Sequence, residues 1–320
     1  MITCKFGGSC TTNENNLKNI KQIINNKKRK IIVFSAIGKI NNKNNKLTDY
    51  LLDFYEEKSI SNKNIILNKI KEIFIFLKQK TKTKININYF LKKIKNSQDK
   101  NYVVSRGEDL TARMMSQFLK IDYIPAEKLL ILKNGHIDEK QTKRKVKKAL
   151  RQHKRFCTGG FYGFDQSLKK VVLLERGGGD VSGAIFAKLS DSSIYENYTD
   201  IDGVKMANPT TVKNPKTIKK ISYEDLKIIC GADGKVLHKD VCTILNGTKV
   251  VTLVKSIFQP RGQKTKISSI NCNSKFVCCE EENGLARFVI RRKMKIDEVV
   301  VKEEMIKETY NMLYRSILKG

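Results

Sequence analysis

The chain is short of acid. Its 320 residues carry 63 lysines and arginines against 32 aspartates and glutamates, a formal charge of +31. Long apolar runs are missing too. No stretch approaches the roughly 18–20 apolar residues of a membrane span, so no membrane partner is expected. The basic run before IIVFSAIG lies inside a patterned segment and does not read as a secretory signal. The eight cysteines include no C-x-x-C pair, and His136, His153 and His238 make no ligand cluster with them, so no metal site is expected. Free thiols in a reducing cytoplasm are the simple consequence. Aromatic residues are 8% of the chain, and no RNA-binding motif accompanies the charge. Lysines come mixed with asparagine and isoleucine throughout, as in NNKNNK and KTKTKININ. Such scatter reads as a chain-wide bias. It predicts salt-sensitive polyanion binding but no specific nucleic-acid partner.

What is present is enough for a packed core: hydrophobic residues make up 40% of a chain long enough for one large or two ordinary domains. The opening MITCKFGGSC reads as a strand (ITCKF), a glycine turn, and a helix with apolar positions at Leu17, Ile20, Ile23 and Ile24. A turn of this kind aims backbone N–H groups at one point, which suits a phosphate, and Lys5 adds a full charge there. KVVLLERGGGDVSGAIFAKL at 170–189 repeats the pattern of strand, glycines, helix. IIVFSA, IYENYT and TKVVTLVKS read as further strands, and residues 60–100 and 142–151 as helices. Residues 102–120 read as a short strand or turn and then a helix, which places Glu108 at a helix start. FCTGGFYGFD reads as a glycine-rich loop. Strands alternating with helices predict an α/β fold, a three-layer αβα sandwich around a mostly parallel sheet.

The chemistry-bearing residues come as an ordered set: Lys5 in KFGGSC, Ser35 in SAIGK, Glu108 in SRGED, Arg176 and Asp180 in ERGGGD, Thr199 and Asp200 in YENYTD, and Lys235 in GKVLH. In this order, with KLTDYLL at 46–52 and NPK…ISYEDL at 214–226, they resemble the aspartate kinases of the amino-acid kinase family over residues 1–267. The resemblance implies transfer of phosphate from ATP to the side-chain carboxylate of L-aspartate, the first step of lysine, threonine and methionine biosynthesis. ATP and aspartate would be the partners. Mg²⁺ would be held mainly by the ATP phosphates, as its chemistry favours. Lys5, Asp180 and Lys235 would be catalytic. Ser35, Asn41, Glu108, Arg176 and Gly179 would hold the amino acid, with Glu108 on its ammonium and Arg176 on its α-carboxylate. Gly7, Gly8, Ser9, Thr199, Asp200 and Lys205 would join Lys5 and Lys235 at the nucleotide. Within residues 1–267, an amino-acid lobe at 1–165 and a nucleotide lobe at 166–267 are expected.

The sequence also departs from the family. Gly179 stands where a serine helps to hold aspartate, and Glu175 where a small residue is usual. Asn41 stands for a threonine, and the family's D-P-R is Asn208-Pro209-Thr210, without the arginine. Lys205 or Lys213 would have to substitute. Residues 268–320 are too few for the family's two regulatory ACT domains and read as a truncated or vestigial remnant, with a strand at ARFVIRR and a helix from VVKEEMIK onward. Weak feedback control follows, and a homodimer would have to form without the ACT region. A kinase for a different amino acid, or a nucleotide-binding homologue acting as a subunit without turnover, are the other readings these departures allow.

Overall fold

The computed structural model describes residues 1–320 except 41–44, 176, 233–235, 271, 293–294 and 320. The chain forms two compact units, Met1–Asp200 and Ile201–Gly320.

The first unit is built on five parallel strands: β1 (Ile2–Phe6), β2 (Arg29–Phe34), β3 (Asp122–Tyr123), β6 (Phe156–Gly159) and β9 (Ile194–Thr199), in the order β9-β1-β2-β6-β3. Every residue of β1 is buried, as expected of a parallel strand covered on both faces. A smaller sheet, in the order β5-β4-β7-β8, contains β4 (Ile131–Lys133), β5 (His136–Ile137), β7 (Tyr162–Asp165) and β8 (Lys170–Leu173). The α-helices described in the unit are α1 (Glu14–Ile24), α2 (Leu47–Glu56), α3 (Ile60–Thr81), α4 (Ile87–Lys95), α5 (Lys100–Leu119), α6 (Glu139–Gln152) and α7 (Gly178–Leu189). The carboxyl ends of β1, β2 and β9 lie side by side, with Lys5 in register with Val33 and with Asn197. In open α/β sheets this is the end where ligands bind.

The second unit contains β10 (Lys220–Ser222), α8 (Tyr223–Gly231), α9 (Lys239–Leu245), β11 (Val251–Ser256) and β12 (Lys264–Ser268), with β12 pairing parallel to β10 and antiparallel to β11. Next comes an antiparallel sheet of β13 (Lys275–Glu282), β14 (Leu285–Arg292) and β15 (Lys295–Lys302), and then α10 (Ile306–Lys319). Phe288, Ile290, Tyr310 and Leu313 of this last part share a core with Ala207 and Val212. Strands β13 and β14 and helix α10 are therefore folded into the unit's interior packing. Buried Arg291 on β14 also pairs with Asp225 of α8 (3.4 Å), whose other oxygen accepts the Ser274 hydroxyl (2.5 Å).

Three local expectations change. Helix α5 begins at Lys100, because Asp99 caps it by accepting from the N–H groups of Asn101 and Tyr102. Tyr102, Val103 and Val104 are thus helical, and Glu108 sits mid-helix. FCTGGFYGFD is two strands: Phe156, Cys157 and Thr158 pair with β2, and Tyr162 and Phe164 pair with β8. The strand-forming side chains outweigh the glycines between them. Val300, Val301 and Lys302 extend β15 and do not begin the last helix, since a β-branched run pairs better than it coils. No helix among the described residues is long and apolar enough to cross a membrane. All eight cysteines are free thiols, with only Cys230 and Cys272 partly exposed.

Candidate active site

Lys5 lies in the last turn of pleat before the chain leaves β1, and its Nζ contacts Asp180 Oδ1 at 2.7 Å, with the two side chains 10% and 15% exposed. Asp180 is in the first turn of α7, where the helix dipole favours a carboxylate. The same oxygen accepts from Asn197 Nδ2 at 2.7 Å, and Tyr195 donates its hydroxyl to the Asp180 carbonyl at 3.1 Å. The alternation of β9 explains this arrangement. Tyr195, Asn197 and Thr199 share one face of the strand. Glu196 and Tyr198 share the other, where Glu196 takes a bidentate grip from Arg29 (2.6 and 3.0 Å). YENYTD thus supplies Tyr195 and Asn197 to this site besides the expected Thr199 and Asp200. The period of two in that motif was the available signal.

After Phe6, Gly7 donates its N–H to the Tyr198 carbonyl (3.0 Å) and a short 3-10 turn runs over Gly8–Thr11. The Gly8 and Ser9 N–H groups open this turn and have no partner within it. Gly38 N–H binds the Gly8 carbonyl at 2.9 Å, zipping this loop to the one after β2. The two backbones touch: a Cβ on Gly8 would lie 2.6 Å from the Ala36 carbonyl oxygen and 3.0 Å from Gly38 N. Gly8→Ala is therefore expected to cost about 1–3 kcal/mol through forced backbone separation. Gly7→Ala, whose nearest neighbour would be 3.4 Å away, should cost far less. Urea unfolding of the two variants side by side checks this ordering. Cys10 is packed under the turn, with its Sγ on the Tyr198 carbonyl at 3.3 Å, and burial pushes its thiol up to about 12. It is a filler, not a nucleophile.

Glu108 approaches from α5. It is buried, and its Oε2 has no hydrogen-bond partner among the described residues. Desolvation pushes its carboxyl up to about 8, with partial relief from the Ala36 N–H. The helix that carries it is pinned by the next residue: buried Asp109 takes Arg106 at 3.1 Å and Arg113 at 3.0 Å, with the Tyr123 and Tyr162 hydroxyls on its other oxygen. A buried carboxylate that is fully paired sits beside one that is half unpaired. The unpaired one is poised for an incoming donor, because leaving such an atom dry is costly.

These groups line one cleft of about 760 Å³ in the first unit. It brings together Lys5, Gly7, Gly8 and Ser9 with Ser35, Glu108, Gly179, Asp180, Thr199 and Asp200. Thr199 donates its hydroxyl to the Asp200 carboxylate at 2.9 Å. Gly179 faces Ser35: a Cβ at 179 would lie 2.8 Å from the Ser35 hydroxyl. Asn41, Arg176 and Lys235 lie outside the described residues. Lys205 belongs to the second unit, where its Nζ is engaged by Asp202 (2.6 Å) and by Thr217 (2.8 Å). The cleft thus holds a fixed cation, a turn of backbone donors and a deep unpaired carboxylate. That set can neutralise a phosphate and grip an ammonium at the same time.

Residues 1–269 match the amino acid kinase family, and the chain belongs to that family. Within it, the similarities run to aspartokinases. The chain is 24% identical to aspartokinase 3 of Bacillus subtilis, over all of this chain and 76% of that one. It is also 24% identical to the aspartokinase of Chlamydia trachomatis, over 84% of this chain and 65% of that one. Among solved structures, the aspartate kinase of Clostridium acetobutylicum superposes with a TM-score of 0.76 at 30% identity, covering 87% of this chain and 66% of that one. The chain therefore spans about two thirds to three quarters of the length of these relatives.

Proposed function

We propose that this chain transfers the γ-phosphoryl group of ATP to the side-chain carboxylate of L-aspartate, giving 4-phospho-L-aspartate and ADP. The observation that carries the reading is the Lys5–Asp180 pair and the unpaired Glu108 oxygen in one cleft. A carboxylate oxygen of aspartate attacks the γ-phosphorus in line. The bond to the bridging oxygen breaks, and its electron pair leaves on ADP. No proton has to move, so the work is positioning and charge neutralisation. Lys5, held by Asp180, meets the charge on the transferring group, and the Gly7–Ser9 backbone offers N–H groups to phosphate oxygens. Glu108 takes the substrate ammonium. A Cβ at 179 would lie 2.8 Å from the Ser35 hydroxyl, so Ser35 is the polar side chain beside the place of the family's serine.

Arg176 for the α-carboxylate, Asn41 beside the substrate, and Lys205 and Lys235 at the nucleotide remain assignments from the family resemblance. So do the lobes at 1–165 and 166–267, a cytoplasmic location, a homodimer and weak feedback control. For Mg²⁺ the cleft offers Asp49, Asp180 and Asp200 as oxygen donors besides Glu108. Asp180 is tied to Lys5, and Asp49 caps α2 through the Lys46 N–H (3.1 Å). This donor set suits an ion that arrives on the nucleotide and keeps its waters. Incubation with Mg-ATP, hydroxylamine and a panel of amino acids tests the proposal: hydroxamate from aspartate is the expected result. Hydroxamate from another amino acid alone would move the assignment to that substrate, and ATP binding without product from any of them would end it.

A further inference from the structure

In the second unit, residues 206–216 form a loop closed at its base. Met206 N–H binds the Lys216 carbonyl at 2.9 Å, and Ile218 N–H binds Val204 at 2.8 Å. Under the proposed function this loop carries nucleotide contacts: it follows Lys205 and includes Asn208-Pro209-Thr210 and Lys213. The last 46 residues hold it at both ends. At the start, Val277 of β13 donates its N–H to the Met206 carbonyl (2.8 Å), and the Tyr310 hydroxyl accepts the Asn208 N–H (3.2 Å) while donating to the Val277 carbonyl (3.1 Å). At the end, the Tyr314 hydroxyl accepts the Lys216 N–H at 2.9 Å. Between these points Ala207 and Val212 are sunk into the core beside Phe288, Leu313 and Ile317.

We propose that Tyr310 and Tyr314 are positioning residues for the nucleotide: α10 clamps loop 206–216 in its binding conformation. The region beyond residue 268 thus works as part of the kinase. Packing alone would need the aromatic rings but not the hydroxyls. The two hydroxyls spend their hydrogen bonds on the backbone of this one loop and on the strand that also holds it. A loop fixed at both ends binds a phosphate chain without the entropy cost of ordering itself. The inference rests on the kinase reading, so its test separates the two.

Tyr310→Phe and Tyr314→Phe keep the rings and remove the hydroxyls that accept from the Asn208 and Lys216 amides. The measurements are the Kd for Mg-ATP by calorimetry, the KM for ATP and for aspartate in the hydroxamate assay, and amide exchange across 206–216. The Mg-ATP Kd and KM are expected to rise about 2–10-fold, the range for losing an ordinary hydrogen bond at a part-buried site, with aspartate KM within about twofold and exchange faster in this loop. Ile317→Val, which trims the same core by one methylene and keeps both hydroxyls, should leave the ATP Kd unchanged. Phenylalanine variants with unaltered ATP affinity, or an Ile317→Val variant that loses as much as they do, would reduce the tyrosines to ordinary packing. If the wild type binds Mg-ATP but makes no aspartyl hydroxamate, the aspartate assignment fails and the clamp is judged on the ATP Kd alone. A wild type that binds no Mg-ATP overturns both.

Discussion

Replacing Glu108 by glutamine is expected to lower kcat/KM for aspartate by about 100- to 3,000-fold while raising the melting temperature at pH 7–8. The loss follows from removing the buried anion proposed to meet the substrate ammonium, where an unpaired charge costs about 3–5 kcal/mol. The gain in stability follows from linkage. In the folded chain the Glu108 carboxyl keeps its proton up to about pH 8. In the unfolded chain it gives that proton up near pH 4.3, roughly the value of an exposed glutamate. Between these values the unfolded state binds fewer protons, so stability falls as pH rises, and glutamine removes that slope. The difference in melting temperature between variant and wild type should therefore widen from pH 5 to pH 8. The same titration governs activity with the opposite sign. The free enzyme needs the carboxylate to receive an ammonium, so wild-type kcat/KM for aspartate should climb with pH and level off above about 8. A flat profile across pH 6–9, or an unchanged kcat/KM in Glu108→Gln, would remove this residue from the site.

Lys5→Met should lower kcat by about 10³–10⁵-fold, the range seen when a cation is withdrawn from a transferring phosphoryl group. The change acts twice. It takes away charge stabilisation of the transition state, and it leaves Asp180, 15% exposed, facing the phosphates without the ammonium that pairs with it. The second effect can be separated from the first. Lys5→Met/Asp180→Asn removes both charges, so it should recover most of the stability lost in the single variant, since deleting a pair costs less than breaking it. Activity should stay lost. Thermal melts and single-turnover phosphoryl transfer on the three variants decide the matter. Recovery of turnover in the double variant would mean that Lys5 only neutralises Asp180.

Much of the site was legible because its residues sit at the ends of elements with strong local signals. Lys5, Gly8 and Asp180 lie where strands and helices meet at glycines, and those punctuation marks are visible in one dimension. Glu108 is legible as a residue but not in its place, because Tyr102-Val103-Val104 favour a strand locally, whereas the Asp99 cap and the burial of Val103 and Val104 hold them in the helix. FCTGGFYGFD was misread for the opposite reason: adjacent glycines suggested a loop, but pairing with β2 and β8 decided the outcome. For residues 268–320 the sequence offers a length and two element patterns but no packing partner. Length says nothing of partners, and the core that Tyr310 and Phe288 share with Ala207 is formed by contacts about 100 positions apart.

The thiols described earlier give the molecule a ready experimental handle. Cys4, Cys10 and Cys157 are sealed inside the first unit and held in their unreactive form by burial, whereas Cys230 and Cys272, both in the second, are the partly exposed ones. A maleimide dye should therefore mark the native protein in its second unit alone, with no engineered cysteine. Fluorescence from those two positions would follow that half of the chain during nucleotide titrations while the other half stays dark.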